Sequence, residues 1–229
     1  MPDHSRYAVF YAPPPGALAD FGAAWLGWDA ADGACRSHPV IEGLPRPVED
    51  ITETPRKYGF HGTLKPPFRL AAGSSRAALE ADLAALAERH APVILDGLML
   101  ARLGGFLALV PEGDTTDLSA LAADCVRGLD THRAPPSHAE LEKRRHDGLT
   151  PAQQGNLDRW GYPYVMEAFH FHLTLTGRLP RAEAKTVKAA LAPLLKQLLP
   201  QPFRIGDLCL FGEAADGRFH ILTRHPLGP

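Results

Sequence analysis

Lys57-Tyr58-Gly59-Phe60-His61-Gly62-Thr63-Leu64-Lys65-Pro66-Pro67-Phe68 is the stretch that decides the fold, because its centre returns about 111 residues later. His61-Gly62-Thr63-Leu64 is matched by His172-Leu173-Thr174-Leu175. An internal repeat changes the expected architecture more than any single element does. The surrounding elements repeat as well: helix 76–89 corresponds to helix 181–196, strand 93–100 to 203–211, and strand 106–110 to 219–223. Upstream of the motifs, strand 7–12 and helix 16–28 correspond to strand 106–110 and helix 116–129.

Local signals support these elements. Residues 7–12 are rich in β-formers and stop at Pro13-Pro14-Pro15-Gly16. Leu18, Phe21, Trp25 and Trp28 recur at helical spacing. Residues 33–56, broken by Pro and Gly, read as a long irregular connection into a strand from Tyr58 to Leu64. Each half is therefore strand, helix, motif strand, helix, strand. The expectation is an α+β fold, a bilobed pseudo-two-fold duplication with two antiparallel sheets flanking a central cleft and helices outside. Residues 1–229 form one bilobed domain, with lobe one at about 1–100, lobe two at about 101–229, and terminal strands free to swap between lobes. Residues 130–163, with Arg133, Lys143, Arg144, Arg145, Arg159 and the Pro135-Pro136 break, have no counterpart and read as an inserted helical segment over the cleft.

Composition narrows the partner. The chain is 229 residues long, 45% hydrophobic and 22% charged, with a formal net charge of -2, which suits a packed globular protein. A near-neutral balance argues against broad capture of DNA or an anionic membrane, so the expected partner is small. Cys35, Cys125 and Cys209 are odd in number and far apart, which disfavours a disulfide framework or a thiolate zinc site. No stretch approaches a membrane span and Met1–Tyr11 reads as no leader, so a cytoplasmic location is expected.

In a strand, residues i and i+2 share a face, so His61 points with Thr63 and His172 with Thr174. An imidazole beside a hydroxyl occurs twice. One ring can take a proton from a nucleophilic hydroxyl while the other, protonated, gives one to the leaving oxygen. Each threonine can donate to a non-bridging phosphate oxygen as charge builds in the transition state. The scheme requires no metal and no other cofactor. For a 2′,3′-cyclic phosphate the attacking group is water; for an RNA-like diester it is the neighbouring 2′-hydroxyl.

The paired motifs resemble the HxTx signatures of the two-histidine (2H) phosphoesterase superfamily. More narrowly, Lys57–Phe68 and Trp160-Gly161-Tyr162-Pro163-Tyr164-Val165-Met166 are similar to a branch associated with phosphonate-utilisation operons. The resemblance implies a bilobed α+β fold, catalytic His61 and His172, and phosphate-binding Thr63 and Thr174. It also implies a substrate among cyclic nucleotides, cyclic ribose phosphates, other phosphoribosyl compounds or short RNA ends.

Further residues are expected to bind substrate. Lys65 and Thr176 continue the inward faces of the motif strands, and Lys57 and Tyr58 flank the first motif. Tyr164 can stack a base or sugar. Arg144 and Arg145, beside Lys143, supply guanidinium to phosphate. His170 shares the face of His172, and with His220 it raises the alternative of a metal-dependent hydrolase. A second alternative is a nucleotide- or phosphosugar-binding protein without chemistry. His4, His38, His90, His132, His138, His146 and His225 need no role.

Overall fold

The computed structural model describes residues 4–145 and 148–229; Met1 and His146 lie outside the described residues, as does the side chain of Lys143. The strands and helices run β1 (Tyr7–Tyr11), α1 (Ala17–Leu26), β2 (Trp28–Asp29), β3 (Ala34–Cys35), α2 (Val48–Arg56), β4 (Gly62–Phe68), α3 (Arg76–Glu88), β5 (Val93–Leu95), β6 (Gly97–Leu103), β7 (Phe106–Glu112) and α4 (Thr116–Gly128). They continue with α5 (His138–Arg144), α6 (Pro151–Trp160), β8 (Leu173–Thr174), α7 (Arg181–Leu198), β9 (Phe203–Ile205), β10 (Asp207–Glu213) and β11 (Phe219–Pro226). Among the described residues no helix is long and apolar enough to cross a membrane.

The fold is α+β with antiparallel pairing. The main sheet runs β11-β10-β1-β4-β8-β7-β6. Its two halves, four strands ending in β4 and three beginning with β8, meet at the pair Gly62 and Leu173. The two expected sheets thus continue into one another at the centres of the two motifs. Strand β6 sits in the half that holds β8, while β10 and β11 sit in the half that holds β4. The terminal hairpins therefore lie beyond the motif strand of the other repeat.

A large apolar cluster, including Val9, Leu64, Leu109, Leu173 and Leu191, fills the space between one face of the sheet and helices such as α3, α4 and α7. The opposite face carries a smaller cluster of Phe10, Trp28, Cys209, Phe211 and Phe219 beside β1 and β10. Burial of apolar surface drives both, at roughly 25 cal/mol per Å².

Several expectations need correction. The segment read as irregular contains α2, where Pro47 presets the entry and Val48, Ile51, Thr52 and Pro55 bury one face. Proline and glycine density hid that helical period. The first motif strand begins at Gly62, not Tyr58, because Gly59 turns with φ 71. The strand at 93–100 is two strands, β5 and β6, as is its partner at 203–211. Trp28 is not the end of α1: Gly27 adopts the left-handed cap and Trp28 enters a short hairpin.

Candidate active site

The pair Gly62 and Leu173 fixes the geometry. Antiparallel register about it sets His61 opposite Thr174 and Thr63 opposite His172, all four on one face. Each histidine therefore faces the threonine of the other motif. Gly62 is required by space. A Cβ there would lie 2.3 Å from the Phe171 ring, which packs beneath the motif and reaches Tyr11 at 6.2 Å between centroids. Leu173, its counterpart, is fully buried in the main core.

Both imidazoles are held the same way. His61 donates from Nδ1 to the Gly59 carbonyl at 3.0 Å, and His172 donates from Nδ1 to the His170 carbonyl at 2.8 Å. A carbonyl only accepts, so Nδ1 carries the proton and Nε2 is the free acceptor of the neutral ring. The Thr63 hydroxyl donates to His61 Nε2 at 3.3 Å. Gly59 can aim its carbonyl this way because its positive φ places the chain against Ala30, where a Cβ would meet the Ala30 methyl at 2.7 Å.

The surroundings of the two rings differ. His61 lies 4.0 Å from the Phe10 ring and 5.8 Å from Tyr58, with Phe211 at 6.3 Å. Burial pushes its pKa down to about 4; the Gly59 carbonyl works against that and the charge of His172 adds to it. His172 faces Phe106 at 5.6 Å and is also shifted down, first by burial, with the His170 carbonyl opposing.

These groups border a cleft of about 420 Å³, within the usual range for a small-molecule site. Its lining includes His61, Thr63, Thr174, Thr176, Tyr58 and Arg144, all expected from the sequence. His172 adjoins it through Phe106. Arg144 donates to the Gly161 carbonyl and lies over the Tyr162 ring. Tyr58 stacks on Phe219, its ring half-buried between the smaller apolar cluster and the cleft.

Other expected residues are elsewhere. Lys65 is buried, its ammonium donating to the Val126 carbonyl at 3.0 Å, with Asp130 at 3.9 Å. The cause is a bulge: β1 pairs Phe10 with Thr63 but Val9 with Lys65, so the face alternation slips between them. Thr176, by contrast, does border the cleft, but it is buried and its hydroxyl is committed, accepting from the Leu107 amide and donating to the Gly177 carbonyl. Arg145 pairs with Asp158 at 3.2 Å outside the lining, Lys57 lies over the Tyr58 ring, and Tyr164 is exposed against Tyr162. His170 is exposed over a separate hollow with Phe169 and Phe171, and His220 packs on Trp28. The metal-ligand set His170, His172 and His220 is thus not assembled, and among the described residues no three His, Cys, Asp or Glu side chains converge to hold a metal.

Sequence reasoning missed Arg6 and Arg178, which also line the cleft. Arg6 pairs with Glu213 through two nitrogens. Arg178 follows Thr174 by four residues, a spacing that carries no signal of its own.

Residues 63–220 match a family described as "Protein of unknown function (DUF1045)". The chain belongs to this DUF1045 family. Curated relatives share its sequence: it is 36% identical over 219 residues to a ribose 1,5-bisphosphate phosphokinase PhnN of Janthinobacterium sp. (strain Marseille), covering 93% of this chain and 48% of that protein. The PhnN of Laribacter hongkongensis (strain HLHK9) is 37% identical over 222 residues, covering 96% and 51%. The DUF1045 chain thus spans about half the length of the curated relatives it matches. Among solved structures, E. coli LigT complexed with NADP+ aligns over 99% of each chain at 15% identity and a TM-score of 0.43.

Proposed function

We propose that this chain is a metal-independent phosphoesterase of the two-histidine type that hydrolyses or transfers a cyclic or ribose-linked phosphoester. The observation that carries the reading is the paired constraint on the imidazoles. Each Nδ1 is tied to the carbonyl two residues back, and each ring stands across the strand pair from the other motif's threonine. In this scheme His61, the more strongly depressed group, is the general base, and its unprotonated Nε2, released from the Thr63 hydroxyl when that group turns to the phosphate, takes the proton of the attacking hydroxyl or water. His172 delivers a proton to the leaving oxygen. Thr63 and Thr174 donate to non-bridging oxygens and stabilise the pentacovalent transition state.

A ribose-linked substrate draws support from the relatives. The chain contains no GxxxxGK[ST] phosphate loop of the kind that cradles nucleotide phosphates in many kinases. In our reading the phosphokinase activity in the relatives' name belongs to their other half, and the half shared with this chain supplies a phosphoesterase working on the same kind of sugar phosphate. A substrate of that size fits a cleft of about 420 Å³.

The test is phosphorus NMR of chelator-treated protein with 2′,3′-cyclic nucleotides, ribose 1,2-cyclic phosphates and phosphorylated short RNAs. Turnover of at least one class is expected, falling by roughly a thousandfold in His61→Ala and in His172→Ala while folding survives. Turnover retained in both variants would sink the reading. Binding without turnover would favour a phosphosugar-binding protein.

A further inference from the structure

We infer that Arg178, together with Arg144, forms a second anion subsite in the cleft, so that the substrate carries a phosphomonoester in addition to the ester that reacts. The inference rests on the phosphoesterase reading for the identity of the first subsite. It begins from the charges in the lining. Among the described residues three guanidiniums border the cleft, from Arg6, Arg144 and Arg178, and no carboxylate does. Arg6 is neutralised by Glu213. Arg144 meets a carbonyl and an aromatic face but has no carboxylate partner among the described residues. Glu140, which lies near it on α5, is committed to Arg69 at 2.9 Å and to the cap of its own helix. Arg178 has no polar partner among the described residues.

Two uncompensated cations exceed what a single reacting diester, with one negative charge, requires. A phosphomonoester carries nearly two charges near neutral pH and presents three oxygens to donors.

Arg178 is also prepared for such a role. The backbone on either side of it is pinned, by the Gly177 amide donating to the Ile51 carbonyl at 2.8 Å and the Leu179 amide donating to the Gly105 carbonyl at 2.8 Å. Its stem rests on Gly105, whose Cβ would stand 3.5 Å from Arg178 Cγ. The chain is fixed and the guanidinium is left unspent, which lowers the ordering cost of binding an anion. Arg144 comes from α5, in the segment that has no counterpart in the first repeat, and Arg178 from the loop between β8 and α7. The subsite therefore draws one cation from the repeat and one from the insertion.

The experiment compares two product-like probes by titration calorimetry, adenosine 2′-monophosphate and adenosine 2′,5′-bisphosphate. The second phosphate is expected to tighten binding to the wild type by about tenfold or more, as a charge-assisted bidentate contact does. In Arg178→Gln the advantage should shrink to within about threefold. Arg145→Gln removes the same charge from outside the cleft and should keep the full advantage. Equal affinity of the wild type for the two probes, absence of binding included, overturns the proposal, as does an advantage that survives in Arg178→Gln. Failure of the catalytic reading appears elsewhere, as unimpaired turnover in His61→Ala and His172→Ala.

Discussion

The two motifs share a hydrogen-bonding plan and differ in what surrounds it. Both histidines are oriented by the carbonyl two residues back. The first stands at the start of a seven-residue strand, over an aromatic floor of Phe10, Tyr58 and Phe211. The second stands before a two-residue strand with one aromatic neighbour among the described residues, Phe106. A duplicated pair thus becomes chemically unequal through burial rather than through a change of residue type, the kind of inequality that the proposed division into acid and base requires.

The strongest way to break this comparison is a pH profile. His61, with its pKa pushed down to about 4, stays an unprotonated base over most of the acidic range, whereas His172 must be protonated to act as acid and is itself shifted below its ordinary value. The expected kcat/KM profile of the free enzyme is bell-shaped, with its acid limb near pH 4 and its alkaline limb beginning below about 6.5. From the optimum to pH 8 the rate should fall steadily as His172 loses its proton. Stability follows the same group with a definite sign. The unfolded chain binds a proton on His61 near 6.5 and the folded chain only near 4, so stability is full above 6.5 and falls as pH drops toward 4. His61→Gln should flatten that part of the acid-denaturation curve. A slope identical to wild type would mean that His61 is not depressed.

A smaller effect tests the middle residues, Gly62 and Leu173. Gly62→Ala drives a methyl into the Phe171 ring, and relief requires moving the segment that carries His172. Expected are a loss of about 1–3 kcal/mol in stability by denaturant titration and a fall of roughly tenfold in turnover as His172 shifts. Adding Phe171→Leu should recover most of both. If Gly62→Ala alone costs nothing, the close approach does not set the register.

How much of this was legible in the sequence depends on whether a position reports on itself or on its surroundings. The repeat, the helices at α3, α4 and α7, and the four motif residues were legible because periodicity and duplication are properties of the string. Helix α2 was not, since Pro47 and Pro55 bracket a helical period that the surrounding breakers conceal. Arg178 was not, because a free cation in a loop acquires meaning only when the fold brings it to the cleft. Lys65 and Thr176 failed for different reasons. Thr176 holds its face but spends its hydroxyl on the Leu107 amide and the Gly177 carbonyl. Lys65 lost its face to a bulge, which leaves no mark in residue types.

Lys65 also offers the gentlest test, because the alternation rule puts it in the cleft and the bulge puts it in the core. Its ammonium donates to the Val126 carbonyl in the last turn of α4, a place where helices leave carbonyls without partners and favour positive charge. Burial lowers its pKa to about 8, with Asp130 opposing that shift. The folded chain therefore releases this proton near 8 and the unfolded chain near 10.5, so wild-type stability rises with pH between those values, by up to about 1.4 kcal/mol per pH unit. Lys65→Met should lack that rise while holding KM for a phosphorylated substrate within about twofold, since the ammonium is spent on the Val126 carbonyl outside the cleft lining. A large rise in KM would return Lys65 to the cleft and remove the bulge from the account. An unchanged KM with the altered alkaline slope would fix the asymmetry of the two strands after their threonines: one spends its next inward position on a helix end, the other on the Leu107 amide.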